Sequence, residues 1–271
     1  MAGKRGLLMR KYLDYMAIGI KEHLAYPSSI WAVFLSKVIY LYMQFCLWNA
    51  LFMSHAKSAL PIARDGVIRY VIIATIISSF IECDAIQWIN EQIQSGNIAI
   101  QLIRPINFGA MVLSKHIGKS AIKFLTCCIP LTVASVLFFR MPLVCKSQIF
   151  FGLASLCLAY AIQFLYSLTI GLMAFWLIVT WPLNMLLGAI YKLLSGSWIP
   201  CAMFPEFLKK INSFLPFRAM YEIPVTIMTN PMDTKILLSK LMVQVFWLAI
   251  LFILMKMAWK TGTKKLVVQG G

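Results

Sequence analysis

The chain has 271 residues, of which 61% are hydrophobic and 13% charged. That composition excludes a soluble globular domain of this size and leaves one polytopic membrane domain, with no room for a sizeable soluble domain beside it. The 25 Lys and Arg against 9 Asp and Glu give a formal charge of +16; in so apolar a chain these cations flank spans and meet anionic lipid headgroups, and they do not form a nucleic-acid surface.

Residues 1–29 read as a cytoplasmic amphipathic segment. Leu13, Met16, Ala17, Ile20 and Leu24 share one helical face, with Lys11, Asp14, Lys21 and Glu22 on the other. This spacing predicts a helix lying in the membrane interface and ended by Pro27. No signal-peptide cleavage pattern is expected here. A helix needs about 20 apolar residues to cross the hydrocarbon core. By that measure six spans follow, over 30–53, 67–86, 118–139, 148–172, 175–194 and 236–258, so the fold class is all-α. The fourth and fifth nearly fuse, and Trp181-Pro182 either kinks the fifth or marks its start. Basic residues near the span ends lean toward both termini lying on the cytoplasmic side of a cell membrane.

Within the spans, Lys37 lies close enough to a helix start to reach water. Glu82 and Asp84 lie near the inner end of the second span, and no acid sits mid-span to relay protons, which weakens an ion-driven antiporter. Gln163, Asn184 and Gln244 sit deeper; each is a candidate for lining a substrate path, although hydrogen bonding between helices is the commoner role. The seven cysteines lie mostly in apolar runs and read as packing residues. Cys145 and Cys201 are the pair that a disulfide would join. His23, His55 and His116 are scattered, and no cluster has metal-ligand spacing.

The inward loop over about 90–118 holds Gln94-Ser95-Gly96, Gln101-Leu102-Ile103-Arg104-Pro105 and Leu113-Ser114-Lys115-His116. It is amphipathic, basic and long enough for one or two surface helices that a soluble partner can grip. Gly118-Lys119-Ser120 ends like a phosphate-binding loop, but that pattern requires glycine at position 113, which is Leu113. From about 195 to 231 the chain is too apolar for a loop and too rich in proline for one helix. Pro200, Pro205, Pro216, Pro224 and Pro231 interrupt a run containing Trp198, Phe204, Phe207, Phe214 and Phe217. Broken backbone at membrane depth must be covered by protein or a polar cavity, so this segment reads as short helices folded back into the bilayer edge.

The order of an amphipathic start, six spans, Gly96-x-x-x-x-x-Leu102-x-Arg104-Pro105, the proline-spaced segment and a basic tail ending Gly270-Gly271 resembles the permease subunit of a type-2 ABC exporter. The resemblance covers essentially the whole chain. It implies an N-terminal elbow helix (1–29), a transmembrane domain (30–259) and a cytoplasmic tail (260–271). It further implies coupling to an ATPase through Gly96, Arg104, Pro105, Lys115 and His116. An extracytoplasmic gate of re-entrant helices would include Pro200, Phe204, Pro205, Pro216, Phe217 and Pro224. The expected partners are an ABC ATPase subunit carrying ATP and Mg, a second permease, identical or homologous, and membrane lipid. No cofactor is expected on this chain. The cargo would be an amphiphilic or apolar molecule such as a drug, antimicrobial peptide or lipid. An intramembrane lipid-modifying enzyme and a non-transporting scaffold are the alternatives.

Overall fold

A computed structural model describes residues 2–53, 63–104, 106–139, 144–177 and 180–265. Pro105 and the tail beyond Lys265 lie outside these residues. The regular structure among them is helical, without a strand.

Helix α1 (Ala2–Leu24) is followed by α2 (Pro27–Met53), which Pro27 opens; a first turn does not need the N–H that proline lacks. Helix α3 (Arg64–Ile81) stops at Glu82-Cys83-Asp84, and the chain resumes as α4 (Ala85–Gln94). The predicted second span is therefore interrupted before residue 86. Gly96, at φ 74°, turns the chain into the short α5 (Ile98–Ile103). Helix α6 (Phe108–Lys123) begins ahead of the predicted residue 118, because Asn107 caps it by accepting from the Ala110 N–H at 2.9 Å. A π-turn at Phe124–Cys128 joins α6 to α7 (Ile129–Phe139). Pro130 cannot donate to the carbonyl four residues back, and the widened turn ahead of it lets the helix pass the ring without ending.

Helix α8 (Ile149–Leu172) matches its predicted span within a residue. Helix α9 (Trp181–Leu194) carries Pro182 in its first turn, so Trp181-Pro182 marks the start of the fifth helix, which does not extend back to residue 175. Then come α10 (Glu206–Ser213), α11 (Phe217–Met220), α12 (Glu222–Thr229) and the long α13 (Thr234–Gly262).

Among the described residues five stretches are long and apolar enough to cross a membrane: Pro27–Met53, Arg64–Gln94, Phe108–Phe139, Ile149–Phe175 and Thr234–Lys265. Helix α9 is apolar but has only 14 residues. At 1.5 Å per residue it is about 21 Å long, short of the ~30 Å hydrocarbon core.

Helices α3 and α8 form the centre. Helices α13, α4 and α12 pack along α8, α12 also covers α3, and α2 lies at the edge against α3. Lipid supplies no hydrophobic drive between helices, so close packing and interhelical hydrogen bonds hold this core. The most extensive interface is that of α1 with α6. Gly19 faces the Lys115 carbonyl and Gly118 faces the Met16 carbonyl so closely that a Cβ on either glycine would overlap the opposing oxygen. Glu22 closes the crossing with ion pairs to Lys115 at 2.7 Å and Lys119 at 3.2 Å. Leu13, Ala17 and Leu24 of the predicted apolar face remain exposed on α1, while Gly19 is buried.

Candidate functional site

Between α2, α3, α8 and α9 lies a cavity of about 450 Å³. Its polar lining comes from Lys37 and Tyr40 on α2, Ser78 on α3, Gln163 and Tyr166 on α8 and Asn184 on α9. One end is charged. The Lys37 ammonium lies 3.2 Å from the Glu82 carboxylate and donates to Ser78 Oγ at 3.2 Å. From α6, Lys123 pairs with Asp84 at 3.5 Å and donates to the Glu82 carbonyl at 3.3 Å. The break between α3 and α4 is thus held by one lysine from each side, which explains why two carboxylates are tolerated there.

The other end is aromatic. Tyr166 stacks on Tyr191 with centroids 5.8 Å apart, and Tyr191 meets Tyr221 at 5.7 Å and Phe217 at 6.2 Å. Gln163 is 5% exposed; among the described residues its amide nitrogen reaches only Ser167 Oγ, at 3.5 Å. Its carbonyl oxygen and the Tyr166 hydroxyl have no hydrogen-bond partner among the described residues. Leaving such groups unpaired costs about 1–3 kcal/mol each, a cost that water or a hydrogen-bonding ligand reaching them from the cavity would relieve.

Over the aromatic end sits the proline-spaced segment. Pro205 and Pro216 immediately precede α10 and α11, and Pro224 lies in the first turn of α12, where a missing N–H is harmless. Pro200, Phe204, Phe217 and Pro224 are buried, Pro216 is half-buried and Pro205 is exposed. Gly196, at φ 84°, makes the turn into this segment, and its carbonyl accepts from the Tyr70 hydroxyl at 2.8 Å. Asn212 donates to the Leu194 carbonyl at 2.8 Å, tying α10 back to the end of α9. Glu222 is neutralised by Arg218 at 2.8 Å, and Lys209 pairs with Glu206 at 2.9 Å. The segment is therefore less charged than its sequence implies. Cys201 and Cys145 are both free thiols: Cys201 faces the Leu194 carbonyl and Cys145 the Thr229 carbonyl, so no bridge joins them.

At the opposite end, the α4–α5 arm exposes Gly96, Ile100 (56%) and Ile103 (84%). Arg104 donates to the Tyr15 hydroxyl at 2.6 Å, which fastens the arm to α1. Lys115 points to Glu22 and lies 4.9 Å over the Trp88 ring. His116 is 5% exposed, stacked on Tyr160 at 5.3 Å and Phe164 at 6.1 Å. Of the residues predicted to couple, Gly96 and Arg104 lie on the exposed arm, whereas Lys115 and His116 are turned into the helix bundle. Burial pushes the Glu22 carboxyl up, but Lys115 and Lys119 outweigh it and hold the group below its ordinary value. Burial, aided by Lys123, pushes the His23 imidazole down.

Of the three candidates for path lining, Gln163 and Asn184 share the polar cavity and Gln244 does not. Gln244 is fully buried, donates to the Ser155 and Ala219 carbonyls at 3.1 and 2.9 Å, and accepts from Ser155 Oγ at 2.8 Å. It clamps α13 to α8 and α11. Gly118-Lys119-Ser120 lies inside α6: Gly118 admits the α1 backbone, Lys119 pairs with Glu22, and Ser120 accepts from the Tyr160 hydroxyl at 3.0 Å. Among the described residues no group of three His, Cys, Asp or Glu is placed to hold a metal ion. The sequence reading missed Tyr40, Tyr166 and Ser78 at the cavity and the Gly19–Gly118 crossing. A small residue on each of two helices was the only available signal for that crossing.

No curated protein matches the sequence. A family model described as ABC-2 family transporter protein matches residues 38–270, which include the cavity lining other than Ser36 and Lys37, and the cover over it. With that match over most of the chain, and with several helices able to cross a membrane, the chain belongs to the ABC-2 transporter family as a multi-pass type-2 ABC permease.

Proposed function

We propose that this chain forms one half of the translocation pathway of an ATP-driven exporter, with ATP and Mg held by a separate ATPase subunit. The observation that carries this reading is the polar cavity lined by Gln163, Tyr166 and Asn184, roofed by the proline-spaced segment and closed at its other end by the Lys37–Glu82 pair. A polar cavity inside an apolar bundle is costly unless something polar passes through it. Unpaired acceptors beside aromatic faces favour an amphiphilic cargo over a wholly apolar one.

The α4–α5 arm with Gly96, Ile100 and Ile103 is the surface that would seat on the ATPase, as the family generally works with one. Arg104 would hold the arm through Tyr15. Lys115 and His116 would contribute by fixing α6 and not by touching the partner. ATP-driven closure would draw the arms of two permeases, identical or homologous, together and shift the cavity between its two openings. In this arrangement both termini lie in the cytoplasm of a cell whose plasma membrane holds the complex. Glu82 and Asp84, the acids an intramembrane enzyme would require, are already paired with Lys37 and Lys123.

The test is export by the reconstituted permease–ATPase complex. Asn184→Trp fills the cavity and should abolish export while the complex still assembles and hydrolyses ATP. Undiminished export by that variant would remove the cavity from the pathway.

A further inference from the structure

On the other side of α8 is a second cavity, of about 580 Å³, enclosed by α6, α8 and α13. Its floor is apolar and buried: Phe164, Leu165, Leu168 and Leu172. Asn107, Ile117, Phe252 and Lys256 are its exposed lining residues and mark its rim. The Lys256 ammonium lies 4.5 Å over the Phe252 ring and makes no ion pair with an acid among the described residues. Lys260 follows one turn later on the same helical face, still within α13.

We infer that this cavity holds an acyl chain of an anionic phospholipid, with the phosphate on Lys256, in the leaflet at the C-terminal end of α13. An apolar recess on a membrane helix bundle has no reason to stay empty, because lipid tails are as apolar as its leucines. The tail alone gives no selectivity. A lysine at the rim with no carboxylate beside it among the described residues supplies that selectivity, since it attracts a net negative headgroup more strongly than a zwitterionic one, whose own cation offsets the phosphate. The cavity lies within the range of volumes of ligand sites. Its lining also connects to the inner arm: Phe108 stacks on Trp259 at 4.6 Å, both line the cavity, and Phe108 in turn stacks on Trp88 of α4 at 6.2 Å. An occupying chain therefore presses on the aromatic column that supports α4, the arm that leads to Gly96. This site is separate from the proposed pathway and does not depend on it.

The experiment measures retained lipid. The full chain is reconstituted in vesicles of equal phosphatidylglycerol and phosphatidylcholine, extracted in mild detergent and examined by native mass spectrometry. Wild-type protein should retain phosphatidylglycerol about fivefold over phosphatidylcholine, the preference that one lysine confers at an anionic surface. Lys256→Glu should lose the preference while still retaining some lipid. Ala161→Phe, which fills the cavity from α8, should lose both lipids. Lys256→Gln removes the charge without adding a repulsive one and guards against misfolding in the glutamate variant; it too should lose the preference. Equal retention of the two lipids by wild-type protein, or an undiminished preference in Lys256→Gln, overturns the inference. So does a wild-type chain that retains no lipid, the result expected if a helix of a second permease fills the recess.

Discussion

Along α8, Gln163, Tyr166, Ser167 and Ile170 recur at spacings of three and four residues and face the polar cavity, whereas Ala161, Phe164, Leu165 and Leu168 recur at the same period and face the apolar one. Both faces are buried by protein, and both sets are flanked by residues of the same apolar character. What separates them is the neighbour. One face meets α9 and the lysine of α2; the other meets α6 and the stacked rings of Phe108 and Trp259. A helix uniform enough in composition to read as a plain span can therefore carry two unlike surfaces, set by register against its partners.

The contrast can be broken from either side. The largest effect on stability should come from the apolar face. Phe164→Ala removes a ring that is 4% exposed and stacks on His116, and should cost about 3 kcal/mol, read by thermal melting in detergent with cargo affinity unchanged. On the polar face Gln163→Leu should do the reverse. It removes an unpaired acceptor, so the melt should stay within about 1 kcal/mol of wild type while export drops about tenfold for want of one hydrogen bond to cargo. Equal losses of stability and export in both variants would erase the distinction between the faces.

Gln244→Leu sharpens the point, because this glutamine resembles Gln163 in sequence but lies outside the cavity. It should cost about 1 kcal/mol of stability, the scale of an interhelical hydrogen bond in a membrane, and should leave export by the folded fraction intact.

The smallest effect concerns α1. The Glu22 carboxyl lies below its ordinary value of 4.5, so its contribution is complete above that value and is lost as pH falls through the lowered one. His23 lies below its ordinary 6.5. The detached helix takes up a proton first, so docking also weakens as pH falls below that value. The protection factors of α1 amides, taken against the intrinsic exchange rate at each pH, should therefore fall in two stages on acidification. Glu22→Gln should retain the His23 stage and lose the lower one; a single stage unchanged by that variant would contradict the ion-pair account.

The spans were legible because apolar length is a property of one segment at a time. Helices α2, α8 and α13 begin and end within a few residues of the hydropathy reading. The prolines of 195–231 were legible too, since each acts on its own backbone. What could not be read was pairing across the chain. Nothing local marks Gly19 and Gly118 as partners, and Lys115 reads as an exposed basic residue until Glu22 is brought beside it. Gln163 and Gln244 look alike in sequence, and only the placement of α9 and α11 gives one a cavity and the other three hydrogen bonds. The early start of α6 at Phe108 was hidden because its first turns are amphipathic, with Lys115 and Lys119 turned to α1.

Thiol labelling across α8 tests the central claim most directly. In a chain cleared of native cysteines, Gln163→Cys and Ala161→Cys place a reporter in each cavity, and a membrane-impermeant maleimide is applied to the permease–ATPase complex with and without a non-hydrolysable ATP analogue. The account predicts that position 163 reacts, at a rate that changes with nucleotide, and that position 161 stays unreactive in both states. Labelling at 161 with none at 163, or a rate at 163 indifferent to nucleotide, would contradict a polar pathway on that face of the helix.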